Sequence, residues 1–167
     1  VAALHGQGEL AKTILLRLLS VPNMPPTVLG LAARVAEWAL GDLKLSSQIL
    51  THLVKQHPTH ALYVSQLARA RQLLGNLDFA LVVWGHVTKI VPGDARAWVS
   101  IGDIYTQKQK FLEALSQFKR AQECEGPPNF IQEAITKEAM TLLLLQRWAQ
   151  AVEVFDLAIN ARSPPFP

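Results

Sequence analysis

Residues 95–128 read ARAWVSIGDIYTQKQKFLEALSQFKRAQECEGPP, and this stretch decides the fold. Its first half places Trp98, Ile101, Gly102 and Tyr105 at i, i+3, i+4 and i+7, one face of an α-helix. Its second half repeats the device with Ala114, Phe118 and Ala121, and Gly126-Pro127-Pro128 then stops the helix. The two faces are complementary in size. Gly102 and Ala114 are small where helix axes cross closely, while Trp98, Tyr105 and Phe118 fill the wider gap. Ala121 leaves room for a following helix. The stretch therefore predicts two antiparallel amphipathic helices with a turn near Gln109.

Moving the pattern back by 34 residues lands Ala114 on Ala80, Phe118 on Trp84 and Ile101 on Leu67, with Pro92 at the stop. A second step reaches Ser46, Leu50, Leu53 and Pro58, with Ala33 at the Ile101 position. Gly41-Asp42 and Gly75-Asn76 fall between the helices of these units, where a left-handed C-capping residue is wanted. Downstream, Ala151, Phe155 and Ala158 repeat the second helix and Ser163-Pro164-Pro165 repeats the stop. Counting back from Ala151 starts that unit near Gln132, so Asn129 to Ile131 are an insertion, absorbed by an extra helical turn near Phe130. This register puts Ala139 and Leu142 where Gly102 and Tyr105 sit, and Glu138 at a position that should be buried. Upstream, Glu9 to Ser20 reads as a second helix alone, with Ala11, Leu15 and Leu18 in register, Gly6 near the preceding turn, and Pro22, Pro25 and Pro26 after it.

The W-x2-L-G-x2-Y…A-x3-F…P pattern resembles the tetratricopeptide repeat, with Ile101 in place of leucine and the last proline one place late. The resemblance implies an all-α, right-handed solenoid of helix-turn-helix units. The expected division is 1–26 (half a repeat and a proline-rich turn), 27–60, 61–94, 95–128 and 129–165, one continuous domain cut from a longer chain. Leu81-Val82-Val83-Trp84 favours a strand by propensity, but the repeat register assigns it to a helix.

Composition narrows the function classes. The 167 residues are 50% apolar and 17% charged, with net charge +3 and pI near 9.2. The sixteen Lys and Arg are scattered, without a basic run or an aromatic–basic alternation along one face, which argues against nucleic acid. The longest apolar run, Phe79 to Trp84, is too short to insert in a membrane. No signal peptide is visible, and one cysteine, Cys124, allows no internal disulfide. The sequence contains no nucleophile elbow and no glycine-rich phosphate loop, so a non-catalytic module without a cofactor is expected. His57 and His60 share a turn with His52 one helical turn earlier, and His52 and His86 occupy one repeat position. No further ligand stands near them, so no metal is expected. Cys124 beside Glu123 and Glu125 should have a raised thiol pKa, unsuited to nucleophilic attack.

The resemblance implies binding of a protein or peptide segment along the inner face of the first helices. The positions facing it are Leu31, Val35 and Trp38, with Val28 and Ala39, in the first full unit. The second unit supplies Leu62, Arg69 and Leu73, with Ser65 and Gln72. The third supplies Arg96, Val99 and Asp103, and the fourth Glu133, Thr136, Met140, Leu143 and Leu144. Equal repeat positions suggest that Arg69 pairs with Asp103 and Arg96 with Glu133. Arg71, where the family prefers tyrosine, should bury its stem and turn its head outward. The carboxylate clamp of chaperone adaptors would fall on Leu31, Val35, Gln66, Arg96 and Ser100, and only Arg96 is compatible. The asparagines that read peroxisomal signals are also missing from these positions. Trp38 is the sharpest anchor candidate, or else it packs on a helix upstream of Val1. Two alternatives remain, a repeat region of a larger glycosyl- or sulfotransferase that positions substrate and a spacer in an envelope or secretion assembly; the exposed solenoid ends would also allow self-association.

Overall fold

The computed structural model describes residues 2–160. Its helices are α1 (Ala2–Leu18), α2 (Pro26–Trp38), α3 (Leu43–Gln56), α4 (Ala61–Leu73), α5 (Leu77–Ile90), α6 (Ala95–Gln107), α7 (Phe111–Gln122), α8 (Pro128–Leu144) and α9 (Trp148–Asn160). No strand occurs among the described residues, and Leu81 to Trp84 lie within α5. The chain forms two compact units, Val1–Val83 and Trp84–Pro167. In the first, α1 packs on α2 and α3, α2 on α3, and α3 on α4. In the second, α6 packs on α7, α7 on α8 and α8 on α9, and α6 also meets α8. Packing confined to near neighbours in sequence is the mark of a helical repeat array.

The turns between paired helices share one backbone device. Gly41 (φ 64°), Gly75 (φ 77°), Gln109 (φ 59°) and Gln146 (φ 58°) are all left-handed. The amides of Asn76, Lys110 and Arg147 then donate to the carbonyls of Arg71, Tyr105 and Leu142, at 3.0, 2.8 and 2.9 Å. These are the closing bonds of a Schellman cap. Glutamine has a Cβ that opposes this conformation, whereas glycine does not. Gln109→Gly is accordingly expected to stabilise the fold by about 0.5–1 kcal/mol, read as a higher midpoint in urea. A lower midpoint would show that the left-handed turn is not the native one.

Helix starts are equally local. The Asp42 carboxylate accepts from the Leu45 amide at 2.9 Å and Asp94 from the Arg96 amide at 3.1 Å, while α2 and α8 open on prolines. One start departs from expectation. α1 begins at Ala2 and runs through Gly6, where a turn was expected, and through Gly8, because each glycine costs only about 1 kcal/mol against alanine and need not stop a helix. The stop at 163–165 lies outside the described residues.

Burial recurs with the repeat. Leu29, Ala33 and Ala36 of α2 are buried, as are Tyr63, Leu67 and Ala70 of α4, Ala97, Ile101 and Ile104 of α6, and Ala134, Glu138 and Thr141 of α8. The successive offsets are 34, 34 and 37 residues. The longer last offset is accommodated by α8, which has 17 residues against 13 in α2, α4 and α6. Phe118 is fully buried against Gly102, but Trp98 and Tyr105 are only half-buried. Ala121 admits the next first helix, packing with Ala95, Val99 and Ala134.

Polar residues interrupt the apolar pattern, Glu138 and Ser46 among them. Glu138 occupies the site of Leu67 and Ile101, and its carboxylate accepts from the Gln122 side-chain amide at 2.6 Å with Lys119 at 3.8 Å. Those partners answer the desolvation of the charge. Ser46 stands where Ala80, Ala114 and Ala151 stand, fully buried, and its hydroxyl finds no protein partner. Ser46→Ala restores the repeat residue and removes an unanswered polar group, so a gain of about 1 kcal/mol is expected by chemical denaturation. A loss of that size would mean that the hydroxyl is bonded in solution.

Candidate partner-binding face

The first unit exposes a patch that follows directly from the composition of α2. Leu29, Ala32, Ala33 and Ala36 turn to the interior, and three alanines among them let neighbouring helices approach. The opposite side is left with Leu31, Val35 and Trp38, which are 58%, 45% and 77% exposed. α4 lies beside α2 and runs in the same direction. A Cβ on Gly30 would sit 3.4 Å from the Tyr63 ring near one end, and Glu37 bonds Arg69 nearer the other. Leu62 and Leu73 of α4 are also exposed, on either side of Arg69 along the helix. Six large side chains at helical spacing thus form two apolar stripes when Val28 is included. Ser65, expected on this face, is buried and donates to the Leu62 carbonyl at 2.9 Å.

The second unit differs. Val99 was expected on the equivalent face, but it is buried with Ala95, Ala121 and Ala134, because the small Ala134 of α8 lets that helix cover it. Arg96 folds back onto Asp94 at 3.0 Å. Asp103 and Lys137 pair at 2.5 Å, and Lys137 also meets Glu133 at 2.8 Å. Burial pushes the Asp103 carboxyl up, partly opposed by Lys137. Burial also pulls Lys137 down, but bonds to Asp103 and Glu133 outweigh it and hold its pKa raised. These charges answer one another locally. Met140 and Leu144 are exposed further along α8, and Leu143 is half-buried.

The expected Arg69–Asp103 and Arg96–Glu133 pairs are therefore replaced. Arg69 takes Glu37, 32 residues away where the repeat is 34, and Asp103 takes Lys137, 34 away where the local offset is 37. In both cases the later helix contributes a residue two or three places earlier in its repeat. Equal repeat positions do not face each other across neighbouring first helices.

The remaining constellations are structural. Arg71 bonds Thr51 at 3.2 Å and its guanidinium lies over the Phe79 ring at 4.7 Å, so the head is held against α3 and α5 and not turned outward as expected. His60 stacks on Tyr63 at 4.0 Å and His52 bonds Gln56 at 3.0 Å. Among the described residues no group of three His, Cys, Asp or Glu is placed to hold a metal ion. An open cleft is lined by Pro92, Trp98, Arg120 and Cys124, and within it the Trp98 indole donates to the Pro92 carbonyl at 3.0 Å. The Cys124 thiol there is pushed up, first by burial and then by Asp94 and Glu123. It is a poor nucleophile at neutral pH.

One residue of the face was not singled out from sequence. Arg34 occupies the repeat position of Gly102, which suggests packing, yet it is exposed and has no ion-pair partner among the described residues. The signal was the spacing Leu31, Arg34, Val35, Trp38, which is i, i+3, i+4 and i+7.

No protein-family model and no curated protein sequence matches the chain. Solved structures do. A crystal structure of MamA superposes with TM-score 0.78 at 15% identity, covering 95% of this chain and 90% of that one. A second MamA crystal structure gives 0.76 at 14% identity over 99% and 92%. MamA of Desulfovibrio magneticus RS-1 gives 0.74 at 18% identity over 93% and 86%. At these identities the likeness is one of fold, and the fold is that of tetratricopeptide-type helical repeats. No helix among the described residues is long and apolar enough to cross a membrane.

Proposed function

We propose that the chain is a non-catalytic protein–protein interaction module, built from repeats spanning 27–60, 61–94, 95–128 and 129–165. Its binding surface is the α2–α4 face, with Leu31, Val35, Trp38, Leu62, Leu73 and Arg69. The observation that carries this reading is the exposure of Trp38 beside Leu31 and Val35 on a helix whose other side is well packed. Exposed large apolar side chains grouped on one face are typical of surfaces that bury against a partner. Side-by-side helices also make a rigid shelf, so little ordering cost falls on the protein when a segment docks. The Asp103–Lys137 pair holds α6 to α8 and Arg96 is folded onto Asp94 within its own helix start, so a contribution to binding from either residue would require breaking its pair.

A photocrosslinking amino acid at Leu31 tests the placement. Val82, 74% exposed on α5 in the same unit, provides the control position. Crosslinking in native lysate should yield a discrete protein adduct from position 31 and none from position 82. Equal adducts from both positions would remove the α2–α4 face from consideration.

A further inference from the structure

The charge of the chain is unevenly placed. Residues 1–83 hold seven Lys and Arg against four Asp and Glu, whereas residues 84–167 hold nine against nine. The whole excess of +3 therefore lies in the unit that carries the exposed apolar face. Three of the four carboxylates of that unit are engaged by its own cations. Glu37 holds Arg69, while Glu9 and Asp42 both hold Lys12, at 3.2 and 3.3 Å. Asp42 in addition caps α3, and the Leu45 amide, its strongest influence, lowers its pKa. Arg34 is exposed and has no ion-pair partner among the described residues, one turn from both Leu31 and Trp38 along α2.

We infer that the segment bound on the α2–α4 face is acidic as well as apolar. It would place large apolar side chains on the Leu31–Val35–Trp38 and Leu62–Leu73 stripes and a carboxylate on Arg34. The inference rests on the proposed function, since it names the class of partner for the same face. Its physical basis is complementarity. A basic segment would meet Arg34 and the positive unit with repulsion, and Glu37, bonded to Arg69 and only 14% exposed, offers it little. An acidic segment meets an arginine with no competing partner, able to bond a carboxylate through two parallel N–H groups.

Selection from a displayed library of random sixteen-residue peptides tests both layers separately. The expected outcome is enrichment of peptides rich in Leu, Phe or Trp with net negative charge. Their binding should fall about thirtyfold on Trp38→Ala and about tenfold on Arg34→Glu, with circular dichroism unchanged. Replacing the peptide carboxylates by lysine should restore binding to Arg34→Glu. Enriched peptides that depend on Trp38 but are neutral or basic would overturn the acidic partner and leave the face intact. Peptides indifferent to Trp38→Ala, or no enrichment at all, would overturn both. Two other occupants give different results, and either would also overturn the inference. Vesicles of phosphatidylserine and phosphatidylcholine bound through Trp38 would indicate a lipid surface. A dimer in sedimentation that Trp38→Ala abolishes would indicate a second copy of this chain.

Discussion

Gly102→Leu is expected to destabilise the second unit by about 3 kcal/mol, at the upper end of what overpacking of a core commonly costs. Even a bare Cβ at position 102 would stand 2.7 Å from Cδ1 and 2.8 Å from Cζ of Phe118, with Cε1 nearer still. Phe118 cannot yield, since it is itself 1% exposed and packed on all sides. The collision must be relieved by separating α6 from α7, the helices that this glycine brings together. In a repeat array each unit is held mainly by its neighbours, so the loss should spread to α8 and α9 rather than stay local. Gly85 provides the control. It lies inside α5, and a Cβ added there would meet nothing within 4 Å, so Gly85→Ala should stabilise by about 0.5–1 kcal/mol through helix propensity alone. Thermal and urea unfolding of both variants would separate the two effects. Unchanged unfolding of Gly102→Leu would mean that α6 and α7 do not meet through this residue.

Trp38→Ala is expected to weaken binding of the partner by about 2 kcal/mol, close to a thirtyfold loss of affinity. The residue is 77% exposed, so the free protein has little packing to lose and its stability should move by no more than about 0.5 kcal/mol. That combination distinguishes an anchor from a core residue. Titration calorimetry with the crosslinked partner, together with urea unfolding of both proteins, measures the two quantities. A fall in stability with unchanged affinity would assign Trp38 to intramolecular packing and remove it from the binding face.

Much of the fold was legible because the repeat pairs small and large residues at fixed spacing. Ala114 with Phe118, Ala80 with Trp84 and Gly41 with Gly75 each locate a helix or a turn independently, and together they set one register. Backbone conformation without its usual residue was harder to read. Gln109 and Gln146 adopt the left-handed turn of Gly41 and Gly75, and only their place in the repeat indicates it. The face was legible where it depended on α2 alone, as with Leu31, Val35 and Trp38. Where it depended on how one helix is staggered against the next, sequence reasoning failed. Val99 is covered by α8, Arg69 pairs with Glu37, and Asp103 pairs with Lys137, because stagger is set by packing volumes that repeat positions do not encode. Arg34 was hidden for a related reason, its repeat position being one that usually faces a helix.

Hydrogen exchange of the chain with and without its crosslinked partner tests the binding face most directly. The expected result is added protection in α2 and α4, centred on residues 28–38 and 62–73, with α5 and α7 unchanged. Protection confined to α7 and α9, with α2 and α4 exchanging as in the free protein, would contradict it.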